Sequence, residues 1–201
     1  MEDISALFNK YGSDKDLNGY SALYHTLFFL KKNDKINMLE IGIGTMIPGM
    51  ASSMVGYAQP HYKPGGSLRA WRDFFVNGRI IGVDIQPDTQ FTDERIETYL
   101  CNSTNAGHVK QFMDNLNIEF DIIIDDGCHM GESQINTLRN MYPYLKKGGI
   151  YIIEDIYPGS SVTKDPQIIK TIVNNDPLFF VGLQNNQCVI YKNGLESSKY
   201  C

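Results

Sequence analysis

Short β-branched apolar runs alternate with stretches of helical periodicity along most of this chain. That alternation predicts a parallel sheet with covering helices. INMLEIGIG (36–44) reads as a first central strand and its glycine turn, and RIIGVDI (79–85) as a second strand ending in an acid. RIETYLCNS (95–103) is a weaker third, FDIIIDDG (120–127) a fourth and GGIYIIEDI (148–156) a fifth. All are apolar on both faces, as a sheet between two helical layers requires. GSLRAWRDFFVNG (66–78) places Leu68, Trp71, Phe74 and Phe75 on one helical stripe, with Ser67 as N-cap. ESQINTLRNMYPYLKKGG (132–149) carries Ile135, Leu138, Tyr142 and Leu145 at helical spacing and stops at Gly148-Gly149. LFFVGLQ-NNQ-CVIYK (178–192) reads as a terminal β-hairpin.

One stretch has no period. Residues 45–64, TMIPGMASSMVGYAQPHYKP, are rich in Met, Pro, Gly and Tyr. A loop of that length directly after a glycine turn is expected to be a lid. The expected organisation is a single domain over 1–201, with an N-terminal helical segment at 1–35, the lid at 45–64 and the hairpin at 178–192.

Composition narrows the function classes. Of the 201 residues 42% are hydrophobic and 20% charged, enough for a real core. The formal net charge is −5, which argues against nucleic acid or an anionic membrane as partner. The four cysteines, 101, 128, 188 and 201, form no CxxC pair and no dense framework. With no apolar run of membrane-span length and no signal-peptide pattern, a reduced cytoplasmic setting is the expectation.

Candidate chemistry gathers at the strand ends. Gly42 and Gly44 suit a turn that approaches a ligand, and Glu40 is a charge inside an otherwise apolar strand. Asp84, at the tip of the second strand, is placed to hold ribose hydroxyls; the alternative is a helix cap. Asp125-Asp126 and Glu154-Asp155 end the fourth and fifth strands. Adjacent strand ends lie roughly 5 Å apart, so four carboxylates converge on one volume. They would repel without a cation, and all-oxygen ligands favour a hard ion such as Mg²⁺. The alternative is a pair of capped loops. His129 follows Asp126 by three residues, as ligand or general base, with the base preferred because the carboxylates already supply ligands. Cys128 reads as a packed thiol. His61 lies in the expected lid; His25 and His108 carry less information.

These residues bring a family into view. KYGSDKDLNGYSALYHTLF, MLEIGIG, PGGSLRAWRDFF, IIGVDI, FDIIIDDGCH and LKKGGIYIIEDI cover most of residues 10–157. The chain resembles class I S-adenosylmethionine-dependent methyltransferases, more narrowly the metal-dependent sugar O-methyltransferases of macrolide and polyketide tailoring, of mycinamicin and elloramycin type. The pairing of DDGCH with IIEDI is the specific part. The resemblance implies a Rossmann-like, doubly wound, seven-stranded α/β sheet whose last strand is antiparallel. It implies that Glu40, Gly42 and Gly44 approach the cofactor and that Asp84 holds its ribose. Ser67, Asn102 and Asp125 are counted with the same cofactor site. It implies that Asp126, Glu154 and Asp155 bind the metal and that His129 takes the proton. Members of the family usually carry serine at the position of Cys128 and Gly-Asp at Cys101-Asn102. The larger relatives have an added N-terminal domain, expected to be absent here, and a homo-oligomer is left open.

The expected reaction is Mg²⁺-assisted transfer of a methyl group from S-adenosylmethionine to a hydroxyl of a sugar or glycosylated small molecule. Two rivals stand beside it: methylation of a phenolic, catechol-like or other small hydroxylated metabolite, and a non-catalytic cofactor-binding subunit.

Overall fold

A computed structural model describes residues 2–50, 52–182 and 186–193. Eight strands form one sheet: β1 (Asn37–Ile41), β2 (Arg79–Asp84), β3 (Thr92–Asp93), β4 (Ile96–Leu100), β5 (Phe120–Asp125), β6 (Leu145–Ile153), β7 (Leu178–Val181) and β8 (Gln187–Tyr191). Their order is β3-β4-β2-β1-β5-β6-β8-β7. The central pairs β4·β2, β2·β1, β1·β5 and β5·β6 are parallel. The pairs β6·β8 and β7·β8 are antiparallel. Among the described residues the sheet therefore has eight strands rather than the expected seven. The extra one is the two-residue β3, which folds back antiparallel on Ile96 and Glu97 at the edge. The hairpin strands fall inside the expected 178–192; residues 183–185 of its turn lie outside the described residues.

Side chains alternate across the sheet and divide its core in two. Leu39, Ile81, Val83, Ile123, Tyr151 and Ile153 pack on one face. That face is covered by α4 (Ala106–Leu116), α5 (Gly131–Met141) and α7 (Pro166–Ile172), with the short α6 (Ser161–Lys164) beside them. Met38, Ile80, Ile122, Ile124, Ile150 and Ile152 pack on the other. There they meet α1 (Ile4–Lys10), α2 (Ser21–Phe28) and α3 (Gly66–Phe74). Such burial on both faces is what parallel strands between helical layers require.

Two helix expectations need correction. The helix expected over 132–149 ends at Met141. Tyr142–Tyr144 form a 3-10 turn, and β6 already begins at Leu145. Pro143 lies in the first turn of that 3-10 stretch and, lacking an N–H, cannot continue the α-helical hydrogen-bond ladder. Ser67 is not an N-cap. That place belongs to Gly65, at φ 79°, and Ser67 is buried inside the first turn of α3.

The expected stripe of α3 does lie inward: Leu68, Trp71, Phe74 and Phe75 are fully buried. Trp71 is the hub. Its ring stands edge-on to Phe8 of α1 and Tyr24 of α2, each at 5.0 Å between centroids, and stacks on Phe75 at 6.0 Å. One indole thus holds three helices against the sheet. Trp71→Ala is expected to destabilise the chain by about 3–5 kcal/mol. Urea unfolding followed by circular dichroism measures this; a loss below about 1 kcal/mol would show that the helices dock without the indole.

Candidate active site

Glu40, Asp84 and Asp125 lie at the carboxyl ends of β1, β2 and β5, and Glu154 directly follows β6, at the end where open parallel sheets bind ligands. The backbone ladder continues past the strands and ties their turns together. Gly42 N–H donates to Val83 O, Asp126 N–H to Ile41 O and Glu154 N–H to Asp125 O, each at 2.9 Å.

The glycine turn is shaped by protein contacts first. Gly42 has φ 92°, and a Cβ there would lie 2.0 Å from the Asp126 carbonyl oxygen. Only glycine lets the β1 and β5 turns sit this close. Gly44, at φ 84°, faces Met54 and the Tyr62 hydroxyl, each 2.6 Å from an added Cβ. Asp84 fastens the same turn from below. Its Oδ2 accepts from Ile43 N–H (2.8 Å) and Gly44 N–H (3.2 Å), and its Oδ1 from Gln86 N–H (2.8 Å). Asn102 closes a local turn, its Oδ1 accepting from the N–H (3.1 Å) and hydroxyl (2.7 Å) of Thr104.

Segment 45–64 is partly anchored. The Tyr62 hydroxyl donates to Ile43 O at 2.7 Å, and Gln59 N–H to Gly12 O at 3.2 Å. Around the bridge between Thr45 and Ser53, the apolar Met46, Ile47, Met50, Val55 and Tyr57 are exposed.

The acids converge, and a residue assigned no role from sequence sits among them. Lys15 is 2% exposed. Its Nζ donates to Asp126 Oδ2 at 2.7 Å and to Glu154 Oε2, and stands 3.2 Å from Glu40 Oε1. Burial opposes the ammonium, but the charges of Asp126, Glu154 and Glu40 outweigh it and hold its pKa well above the ordinary lysine value. Burial raises Glu40, against the pull of Lys15. It likewise pushes Glu154 up to about 7, also against Lys15. Asp126 moves the other way: burial is outweighed by Lys15 and His129, which hold its carboxyl below the usual range.

A second group lies beside the first. His129 Nε2 is 3.3 Å from Asp126 Oδ1 and 3.5 Å from Asp155 Oδ2. One donor atom from each of these three residues lies within 4.8 Å of the others. Burial works against a charged imidazole, but the Asp126 bond and the Asp126 and Asp155 charges push its pKa up to about 9. Glu154, expected in this set, is turned to Lys15 instead; its other oxygen, Oε1, is buried without a donor among the described residues. Asp125 is buried, pushed up to about 7 by that burial, and its Oδ2 also lacks a donor.

The donor set fits a divalent cation. Two carboxylate oxygens and an imidazole nitrogen are within reach of one ion, and the surrounding acids exceed the cations present. Glu40 Oε2, Asp125 Oδ2 and Glu154 Oε1, without a donor among the described residues, likewise suit a ligand that brings hydrogen-bond donors and positive charge to the strand ends. A groove lined by Arg139, Tyr142, Ile168 and Ile172 lies elsewhere, between the end of α5 and α7, and includes none of these residues.

No family model matches the chain. Among curated proteins it is 32% identical over 170 residues to demethylmacrocin O-methyltransferase of Streptomyces fradiae, matching 82% of this chain and 40% of that protein. It is 32% identical over 174 residues to mycinamicin VI 2''-O-methyltransferase of Micromonospora griseorubida, with the same 82% and 40% coverage. The chain resembles the sugar O-methyltransferases of macrolide and polyketide pathways. It spans about two fifths of the length of these curated relatives. The fold agrees: the MycE methyltransferase of the mycinamycin pathway, solved in complex with Mg and SAH, superposes with a TM-score of 0.73 at 25% identity. That match covers 96% of this chain and 55% of MycE.

Gly42→Ala should cost at least about 1–3 kcal/mol, the usual penalty for a non-glycine residue held in a sparsely populated conformation, because the Asp126 carbonyl blocks relief. Chemical denaturation measures it. An unchanged midpoint would mean that the β1 and β5 turns separate freely.

Proposed function

We propose that this chain is a metal-dependent O-methyltransferase that moves a methyl group from S-adenosylmethionine to a hydroxyl of a sugar carried on a small molecule. The observation that carries the proposal is the convergence of Asp126, His129 and Asp155 at the ends of β5 and β6, beside the glycine turn. Support for a sugar acceptor comes from similar proteins named for O-methylation of glycosylated compounds, a rhamnosyl-tetracenomycin C and L-olivosyl-oleandolide.

In this reading Asp126 and Asp155 hold the ion. When bound, a hard divalent cation supplies Lewis acidity toward the acceptor hydroxyl and cancels the carboxylate charge that keeps His129 protonated. The neutral imidazole then takes the hydroxyl proton at Nε2. S-adenosylmethionine, when bound beside the glycine turn, would supply the methyl group to that oxygen from its sulfonium, the C–S electron pair staying on sulfur in S-adenosylhomocysteine. Glu40, Gly42, Gly44 and Asp84 shape the cofactor side, with Ser67, Asn102 and Asp125 at its margins. The protein's further contribution is orientation of acceptor against methyl donor. Segment 45–64 acts as a lid over that encounter; its exposed Met and Tyr side chains would cover an apolar aglycone and exclude water. Those same side chains favour a second reading, a purely phenolic acceptor.

S-adenosylhomocysteine release and product mass, measured over a panel of glycosides and phenols with EDTA and with added Mg²⁺, test the proposal. Turnover of a glycoside that EDTA abolishes and Mg²⁺ restores is expected. Transfer indifferent to EDTA removes the metal, and transfer to phenols alone selects the second reading. No release with an acceptor of either class leaves a cofactor-binding subunit.

Two variants separate roles. His129→Ala is expected to lower the rate roughly 10²–10⁴-fold while retaining the ion, as for a positioned base; loss of the ion instead would make the imidazole a ligand. Asp84→Ala is expected to weaken S-adenosylmethionine binding roughly 10–100-fold, through lost charge-assisted bonds and a loosened turn. Unchanged affinity by calorimetry would exclude Asp84 from the cofactor site.

A further inference from the structure

The segment between α1 and α2 reaches the acids with two side chains, Lys15 and Tyr20. Lys15 holds Asp126 Oδ2 at 2.7 Å together with Glu154 Oε2. The Tyr20 hydroxyl donates to Asp155 Oδ1 at 2.5 Å. The remaining oxygens, Asp126 Oδ1 and Asp155 Oδ2, are the two that face His129 Nε2. Each carboxylate of the cluster therefore has one oxygen occupied by this segment and one turned toward the ion position.

The segment is built to hold that arrangement. Asp16 accepts from Asn9 Nδ2 (2.7 Å) on α1 and from Ser21 Oγ (2.6 Å) on α2. Tyr20 N–H donates to Lys15 O at 3.0 Å, tying the two residues together. Asp155 itself has φ 50°, a left-handed backbone that aspartate adopts at a cost. The Tyr20 bond fixes its side chain in that setting.

We propose that Lys15 and Tyr20 are positioning residues that keep Asp126 and Asp155 monodentate and so set the site's preference for small divalent ions over calcium. The inference rests on the metal-dependent reading above. Calcium takes six to eight oxygens and readily binds a carboxylate through both. Magnesium demands a compact octahedron and uses one or two carboxylates through single oxygens, with water filling the rest. Carboxylates with one oxygen already bonded to a lysine or tyrosine offer the second geometry and withhold the first.

The test is calorimetric titration of Mg²⁺ and of Ca²⁺, each alone, into the wild-type chain, Tyr20→Phe, Lys15→Met and Lys15→Met/Glu154→Gln. The quantity read is the ratio of calcium to magnesium dissociation constants. Removing a lysine draws any cation closer by charge alone, so absolute affinities mislead; the ratio cancels that common effect. The wild type is expected to prefer Mg²⁺. Tyr20→Phe and Lys15→Met are each expected to shift the ratio toward Ca²⁺ by roughly 10-fold, in line with partners that orient metal ligands. The double variant removes a buried acid with its lysine, so that folding is retained when the single change is not tolerated. Ratios equal to wild type in folded variants overturn the proposal while leaving the metal in place. A wild type that prefers Ca²⁺ does the same. A wild type that binds neither ion overturns both this inference and the metal-dependent reading. If neither Lys15 variant folds, the lysine is structural and its part of the proposal falls, with Tyr20→Phe deciding the rest.

Discussion

One buried ammonium organises the functional end of this molecule. Lys15 stands among Glu40 from β1, Asp126 after β5 and Glu154 after β6. Without it, three acids would meet in a space that water scarcely reaches, and each would have to take up a proton or move apart. Burying an ion pair is not in itself a source of stability, because desolvation offsets the Coulomb gain. Removing one partner is another matter and typically costs about 3–5 kcal/mol. The lysine is therefore best understood as a condition for having these acids at the strand ends at all. It also joins the N-terminal helices to the sheet, since α1, α2 and the turn between them must dock for Nζ to arrive.

That constraint propagates outward through geometry. The strand turns are drawn so close that Gly42 has no room for a side chain beside Asp126. Asp84 then anchors the glycine turn through two backbone N–H groups, and Tyr62 holds its carbonyls from the other side. On the far side of Lys15, Trp71 and its ring neighbours fix the helices that carry the lysine. Core packing and site electrostatics are consequently one structure: the aromatic cluster sets where α1 and α2 sit, and their connecting turn sets which carboxylate oxygens are free.

Much of the sheet was legible because strand signals are local. Runs such as IIIDD and VDI announce both burial and the acid at the tip. The end of α5 at Met141 has an equally local cause in Pro143, although Gly148-Gly149 is the stronger stop signal in the sequence. The two-residue β3 could not be read, since a strand that short has no period and exists only through its pairing with Ile96 and Glu97.

Lys15 was illegible for a deeper reason. It lies in SDKDLNG, a polar, glycine-containing turn that resembles any exposed loop, and its partners are 25, 111 and 139 positions away. The sequence did carry an indirect signal. Four acids on adjacent strand ends require positive charge, and from sequence a metal alone suffices to supply it. The structure divides the task. Lys15 neutralises the inner oxygens of Asp126 and Glu154, while the outer oxygens of Asp126 and Asp155 face His129. A charge argument from sequence can establish that a cation is needed; which oxygens it meets depends on a lysine delivered by tertiary packing. The same holds for His129, whose place beside Asp126 follows from the turn at Gly127, while its proximity to Asp155 follows from the pairing of β5 with β6.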